Sequence, residues 1–185
     1  MMRVGRGLTA FFIFASIGAQ PAISAPTIPE TVTISAAGGY YDNPRFALPC
    51  KQGSLSAVLW LKDLQFEDIW QAAASIKIHS ATSYVELGAV TKNQKPDRLY
   101  AIWINSAIPQ KPVSTDPAVY LLQRDVIQGV RIALDWTEKG DVGGILNGKK
   151  LTRIKLPTPL MEISFFVEGA HATFDQITLS CDLTS

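Results

Sequence analysis

The stretch DWTEKGDVGGILNGKKL, from Asp135 to Leu151, contains signals for two chain reversals in a short span. Apolar residues alternate with polar or small ones from Val130 to Trp136, which is typical of a half-buried strand. Asn147-Gly148 is a dipeptide that tolerates the positive φ angles of a type I′ hairpin. These signals predict a three-strand antiparallel meander. Gly143-Gly144 in its middle strand predicts a bulge or a close backbone approach.

Short strands separated by Pro, Gly, Asn and Asp are predicted over most of the chain. A weaker helical pattern from Leu64 to Ala74 predicts a short helix or turn that leads into a strand. The further strand candidates are Thr31–Ala36, Leu55–Lys62, Ala73–His79, Ser83–Val90, Leu99–Asn105, Ala118–Leu122, Leu160–Glu168 and Thr173–Asp182. About a dozen short strands in one domain predict an all-β fold of two packed antiparallel sheets.

The first residues of the chain are typical of a secretory signal. Arg3 and Arg6 form a basic opening, and Leu8–Gly18 is apolar but short for a membrane span. Small residues then lead to Ala25. We therefore expect a signal peptide over residues 1–25, a single domain over residues 26–185 and a secreted or periplasmic product without a membrane span. The alternative is an uncleaved membrane anchor.

The mature chain would contain two cysteines, Cys50 and Cys181. In an oxidising compartment an even number of cysteines favours a disulfide. The alternative is a pair of buried free thiols. Metal ligation is disfavoured, because His79 and His171 do not lie at metal-site spacing from the cysteines.

The charge balance excludes some classes of partner. The chain has 17 basic and 16 acidic residues, with no basic stripe, so we do not expect a nucleic-acid partner. It also lacks a glycine-rich phosphate loop and a Gly-x-Ser-x-Gly motif. The sequence therefore predicts neither a cofactor nor a serine hydrolase.

Three segments carry a resemblance to a known fold family. GVRIALDWTEKGDVGGILNGKKL (Gly129–Leu151) and ATFDQITLSCD (Ala172–Asp182) resemble the second half of concanavalin A-like jelly rolls, particularly laminin G-like domains. SLSAVLWLKDLQF (Ser54–Phe66) is similar to their early strand. The resemblance implies a two-sheet jelly-roll β-sandwich. Because that family includes sugar binders, glycosidases and polysaccharide lyases, the resemblance also implies that the protein binds or cleaves carbohydrates.

The catalytic signatures of the family are incomplete. The Glu-x-Asp-x-x-Glu run of jelly-roll glucanases is absent, and Glu162 and Glu168 are too far apart on one strand face to act on one bond. Lys77 and His79 in SIKIHS resemble the Q-I-H motif of alginate lyases, but the partner motifs of those enzymes are absent. The sequence therefore predicts no catalytic residue.

A binding face is the remaining hypothesis. If the strands that carry them adjoin, one open face would hold Trp103, Arg131, Asp135, Glu162 and Phe166. Aromatic rings beside polar groups are what a glycan site needs. The alternative is that these aromatic residues pack under loops.

A calcium site is a weaker possibility. Asp42 and Asn43, in the segment GGYYDNPR, could supply oxygen ligands together with Asp175 or Asp182. A simple turn is the preferred interpretation, because nothing completes a coordination shell, and we predict no metal.

The functional hypothesis is therefore an exported non-catalytic domain that binds a carbohydrate or cell-envelope polymer. The alternatives are a polysaccharide-degrading enzyme of the same fold, either a lyase or a glycosidase, and a purely structural envelope protein.

Overall fold

The computed structural model describes residues 27–64, 72–91, 98–107, 111–114, 120–122 and 128–181. The predicted signal peptide and most of the predicted helix, residues 65–71, lie outside these ranges. Ala73 and Ala74, at the end of the predicted helix, belong to a strand. Among the described residues, none forms a helix with the length and apolarity needed to cross a bilayer.

Thirteen antiparallel strands make up the described fold. They are β1 (Val32–Asp42), β2 (Arg45–Ala47), β3 (Gly53–Lys62), β4 (Ala73–Ser80), β5 (Ser83–Thr91), β6 (Arg98–Ala107), β7 (Lys111–Ser114), β8 (Tyr120–Leu122), β9 (Val130–Trp136), β10 (Asp141–Leu146), β11 (Lys149–Lys150), β12 (Ile154–Lys155) and β13 (Leu160–Cys181). The hydrogen-bonded order is β11-β10-β9-β3-β13-β4-β5-β6-β7, with β1 and β2 on β13, β12 on β10 and β8 on β6. The predicted all-β jelly-roll sandwich is confirmed.

Strand β13 belongs to both layers of the sandwich. Its first half, Leu160–Glu168, pairs with β4, and its second half, His171–Cys181, pairs with β3. Gly169 lies between the halves with a φ of 54°. The sequence predicted two strands here, separated near Gly169, but the chain bends at this residue and both halves belong to one continuous strand. We call β2, the end of β1 at Tyr41 and Asp42, the first half of β13 and β4–β8 the front sheet, and the remaining strands with the second half of β13 the back sheet.

The core lies between the two sheets. Alternate residues of β1, β3 and β9 point inward, as the period of an extended chain requires. Phe165 and Phe174, from the two halves of β13, meet edge to face with their ring centroids 5.0 Å apart. Ile163, Phe165 and Val167 are fully buried, whereas Met161, which shares their parity along β13, is 49% exposed. Burial of these apolar faces supplies the main stabilisation.

The meander predicted from the opening stretch is confirmed. Strands β9 and β10 pair, and Asn147 and Gly148 turn the chain with φ angles of 46° and 83°. The returning segment is interrupted, because β11 and β12 pair with different parts of β10. Gly144 marks a close approach rather than a bulge: the β9–β10 register is continuous there, and a Cβ on Gly144 would lie 2.9 Å from the Trp103 ring.

The predicted disulfide is confirmed. Cys50 and Cys181 are bonded, with their Cα atoms 5.8 Å apart, and they are separated by 131 positions in sequence. The bond joins the segment before β3 to the end of β13. The indole N–H of Trp136 donates to the Cys50 carbonyl at 3.1 Å, which fixes the bridge against the back sheet. Closing a loop of this length stabilises the fold by about 4–5 kcal/mol on the loop-entropy model.

Candidate functional site

Trp103 was predicted to lie on an open face, and that prediction is wrong. The side chain is 4% exposed and points from β6 into the core. Its indole N–H donates to the Thr152 carbonyl at 2.9 Å, and its ring packs over Gly144 of the back sheet. The alternation along β6 was assigned the wrong way round: Leu99, Ala101 and Trp103 are buried. Trp103 therefore joins the two sheets and is not available to stack on a ligand.

The other four predicted site residues do not share one face. Glu162 and Phe166 lie on the outer face of the front sheet, in the first half of β13. Arg131 and Asp135 lie on the outer face of the back sheet, because β9 pairs with β3 and β10 and the residues that alternate with these two along β9 are buried. Strand β9 therefore does not adjoin either of the strands that carry Trp103 and Phe166. The single predicted face is wrong, and the structure contains two separate polar surfaces.

The surface with more charged and aromatic side chains lies on the outer face of the front sheet. We define the front site by side chains from β1, β2, β4, β5 and the first half of β13: Tyr41, Arg45, Ser75, Lys77, His79, Tyr84, Glu86, Glu162, Ser164, Phe166 and Glu168. Strand pairing places Lys77 between Ser164 and Glu86, and His79 between Glu162 and Tyr84. Charged and aromatic groups are thus adjacent across three strands.

An ion pair forms the floor of the front site. The Lys77 ammonium lies 3.4 Å from Glu86 Oε2, and less than a tenth of either side chain is exposed. The Ser75 hydroxyl donates to Glu86 Oε1 at 2.6 Å. Gly88 faces Ser75 across the strand pair, and a Cβ there would lie 2.4 Å from that of Ser75, so only glycine leaves room. Both oxygens of Glu86 are therefore engaged within the protein.

Aromatic rings enclose the Lys77 ammonium. It lies 3.6 Å from the centroid of the Phe166 ring and 4.9 Å from that of Tyr84. Burial lowers the pKa of Lys77 from its ordinary value, and the negative charge of Glu86 opposes that change. Cation–π attraction and the ion pair together offset part of the cost of burying the charge.

His79 is held in its neutral form. Burial, followed by the positive charges of Arg45 and Lys77, lowers the pKa of His79 to about 4. Its Nε2 atom lies 2.8 Å from the Ser164 hydroxyl, and its ring centroid is 5.4 Å from that of Tyr84. A neutral imidazole has one donor and one acceptor, so His79 is a hydrogen-bonding group at pH 7 rather than a cation.

The rim of the front site is accessible to solvent. Tyr41 is 69% exposed and stacks on Phe166 with ring centroids 5.9 Å apart. Arg45 forms an ion pair with Glu162 at 3.2 Å. Burial raises the pKa of Glu168, with Glu86 adding to the rise and Lys77 opposing it. An exposed ring thus stands beside a floor of hydrogen-bonding groups, the combination that small-molecule and sugar sites use.

The front site does not assemble a metal centre within the described residues, where no three His, Cys, Asp or Glu side chains are grouped. Asp42, weighed above as a calcium ligand, uses Oδ1 to accept the N–H of Asn43 at 2.7 Å. This contact agrees with the turn interpretation of that segment.

Sequence reasoning missed Tyr41, Tyr84 and Glu86. A signal for Glu86 was present, since SIKIHS and SYVELGAV each place one charge among apolar residues, on neighbouring strands. Opposite charges at such positions indicate a buried pair, because isolated buried charges are costly. Tyr41 gave no such signal, because its contact with Phe166 depends on the irregular pairing of β1 with β13 between Ala36 and Tyr41.

Comparisons with known proteins support the fold. No family model matches the chain, and no curated protein matches it by sequence. A solved Crh5 transglycosylase in complex with NAG is similar in structure, with a TM-score of 0.50 and 11% identity over 86% of this chain and 76% of that one. A Bacillus licheniformis beta-glucanase has a TM-score of 0.45 and 8% identity over 82% and 78% of the two chains. At 11% identity the first likeness concerns architecture alone, and it supports the all-β sandwich fold.

Proposed function

We propose that the protein is an exported, non-catalytic domain that binds a glycan of the cell envelope or surroundings through the front site. The observation that carries this proposal is the exposed Tyr41 ring, stacked on Phe166 beside the polar floor of Lys77 and Glu86. A sugar ring has an apolar face and an edge of hydroxyl groups. It would stack on Tyr41 and bond through its hydroxyls to the polar side chains next to it.

The charges of the front site favour a neutral sugar. Lys77 is balanced by Glu86 and Arg45 by Glu162, while Glu168 remains as an additional acid. Within the described residues, this surface therefore has no cation left unpaired for a uronate or sulfate group. An acidic ligand would have to displace Glu86 from a buried pair, which is costly, or compete with Glu162 for Arg45 at the exposed rim.

Export is part of the same proposal. The Cys50–Cys181 disulfide supports an oxidising compartment, where such bonds persist. We expect removal of residues 1–25 and a mature chain that begins at Pro26, in the periplasm or outside the cell. A closer kinship with laminin G-like domains within the jelly-roll class also belongs to the proposal. Intact-mass analysis of exported material tests the cleavage, and retention of residues 1–24 would contradict it.

Adjacent tyrosines allow a matched test of the binding site. Tyr40 and Tyr41 are 72% and 69% exposed, but Tyr41 is the one that stacks on Phe166. Wild type would first be screened against laminarin, cellulose, xylan, mannan, alginate and polygalacturonate. Tyr41→Ala should weaken neutral-glycan binding by about 1–3 kcal/mol, the range for a moderate hot spot. Tyr40→Ala should have little effect, and neither change should lower the melting temperature appreciably.

Two results would contradict the binding proposal. If wild type binds none of the neutral polymers, the purely structural envelope role replaces it. If the two alanine variants lose affinity equally, the ligand does not stack on the Tyr41–Phe166 platform.

A polysaccharide-degrading enzyme is the second candidate, favoured by the contact between His79 and Tyr84 beside Lys77. A lyase needs a base, an acid and a group that neutralises the substrate carboxylate. Against this candidate, the pKa of about 4 makes His79 a weak base, and Lys77 is already paired with Glu86. Release of unsaturated products or reducing ends by wild type, and its loss in Tyr84→Phe, would establish the enzyme instead.

A further inference from the structure

A second polar surface lies on the outer face of the back sheet, away from the front site. A trough of about 320 Å³ runs across β13, β3, β9 and β10 there. We call it the back trough, and its lining includes Ser56, Ala133, Ile145, Thr178, Arg131 and Gln176.

Strand register explains why the trough exists. Thr178 pairs with Ser56, Ser56 with Ala133, and Ala133 with Ile145, so mainly small side chains form one row across four strands. The next row contains the larger Val58 and Arg131. An irregularity in β13 between Asp175 and Thr178, with Gln176 at a φ of 52°, supplies the wall at one end. Sheet register thus fixes a furrow with hydroxyl and amide groups along it.

The charges along the back trough are not balanced as they are in the front site. Asp135 on this face is paired with Arg153, and Asp175 accepts a hydrogen bond from Thr31 at 2.8 Å. Arg131 and Lys150 are exposed, and within the described part of the chain no carboxylate forms an ion pair with either. The back face therefore has two available cations, Arg131 in the lining of the trough and Lys150 outside it.

The position of Arg131 is fixed by the hairpin. Its backbone N–H donates to the Asn147 side chain at 2.9 Å, and its carbonyl accepts the Asn147 N–H at 2.8 Å. Lys150 lies on β11, outside the lining of the trough, and pairs with Ile145 of β10. Two strand spacings, about 10 Å, separate the strands of the two cations. That separation suits repeated acid groups along a polymer better than a single small anion.

We propose that the back trough binds a carboxylate-bearing polysaccharide, with Arg131 as its anchor and Lys150 as a second contact. An arginine guanidinium matches a carboxylate in a two-point hydrogen-bonded geometry, which a neutral sugar cannot provide. Ser56, Thr178 and Gln176 are placed to bond the sugar hydroxyls. This site is independent of the front site, so it stands whether or not a neutral glycan binds there.

The test uses the full mature chain and polygalacturonate, with its fully methyl-esterified form as the uncharged probe of the same backbone. Wild type should bind the acid form more tightly than the ester, because only the acid form offers carboxylates to Arg131. Arg131→Gln should weaken binding about tenfold or more, because hydrogen bonds between charged groups are among the stronger ones. Lys51→Gln removes a charge that is paired with Glu138 elsewhere on the surface, and it should leave binding unchanged.

A shape variant separates the trough from general electrostatic attraction. Ala133→Phe fills the furrow without changing any charge, and it should also abolish binding while the melting temperature shows that the chain remains folded. Three outcomes would overturn the assignment: no binding of polygalacturonate to wild type, equal binding of acid and ester, or equal losses in Arg131→Gln and Lys51→Gln.

Discussion

On the front face, less than a tenth of the Lys77 and Glu86 side chains is exposed, and aromatic rings enclose the ammonium. On the back face, Asp135 and Arg153 form an ion pair of the same kind with 38% and 46% of their side chains exposed. The buried pair lies in a medium of low dielectric constant, where its geometry is strongly constrained. The exposed pair is screened by water, so its partners can exchange with solvent or with a ligand.

The difference shows how one sandwich can present two unlike surfaces. The front face has its cations paired and exposes an aromatic ring, whereas the back face leaves two cations without carboxylate partners among the described residues. The side chains between the sheets keep the two surfaces separate. Trp103 is the largest contact between the layers named here, so its removal is the most severe test of this separation.

The largest effect is expected from Trp103→Ala. Removal of a buried tryptophan that packs over Gly144 leaves a cavity between the sheets, which should cost about 3–5 kcal/mol of unfolding free energy. Denaturant unfolding measures this cost, with Tyr40→Ala as an exposed aromatic control. Equal stability of the two variants would mean that Trp103 does not join the sheets.

Removal of one partner from each ion pair tests the comparison directly. Glu86→Gln leaves Lys77 buried and unpaired, which should lower the unfolding free energy by about 3–5 kcal/mol. Asp135→Asn at the exposed pair should lower it by about 0–1 kcal/mol. Similar losses in the two variants would show that burial does not distinguish the faces.

Stability should depend on pH through His79 of the front site. Its pKa is about 4 in the folded chain against 6.5 ordinarily, so between these values the unfolded chain binds a proton that the folded chain does not. The contribution of His79 to the free energy of unfolding is therefore complete above pH 6.5. It is lost as the pH falls toward 4, by roughly 3 kcal/mol at 1.36 kcal/mol per pH unit. His79→Gln should remove this part of the pH dependence. An identical pH profile for both proteins would contradict the buried neutral imidazole.

A modest effect is expected at the hairpin of the back face. A Cβ on Gly148 would meet nothing within 4 Å, so only its φ of 83° opposes a side chain. Gly148→Val should therefore cost about 1–2 kcal/mol from backbone strain alone. Thermal unfolding measures it, and Gly148→Asn, which tolerates this conformation better, should lose less. No difference between valine and asparagine would argue against the left-handed turn.

The local signals of the sequence predicted the fold well. Alternation in β9, the Asn147-Gly148 turn and the even number of cysteines each depend on short-range geometry or simple pairing, and the structure bears them out. The continuous β13 was missed because a bend at Gly169 looks in sequence like a break between two strands.

The candidate site was predicted less well, because it depends on which strands adjoin. Alternation places a residue on one side of its strand, but it does not say which sheet the strand joins or which side faces inward. Arg131 and Phe166 were therefore assigned to one face although β9 and the first half of β13 belong to different sheets. The Lys77–Glu86 contact likewise requires the β4–β5 register, which no single strand pattern contains.

The most direct test of two separate sites is one two-by-two affinity measurement. Tyr41→Ala and Arg131→Gln would each be titrated with polygalacturonate and with the neutral polysaccharide that wild type binds best. We expect Tyr41→Ala to lose affinity for the neutral polymer alone and Arg131→Gln to lose affinity for the acidic polymer alone. If both variants lose affinity for both polymers, the faces do not act as separate sites, and the account is contradicted.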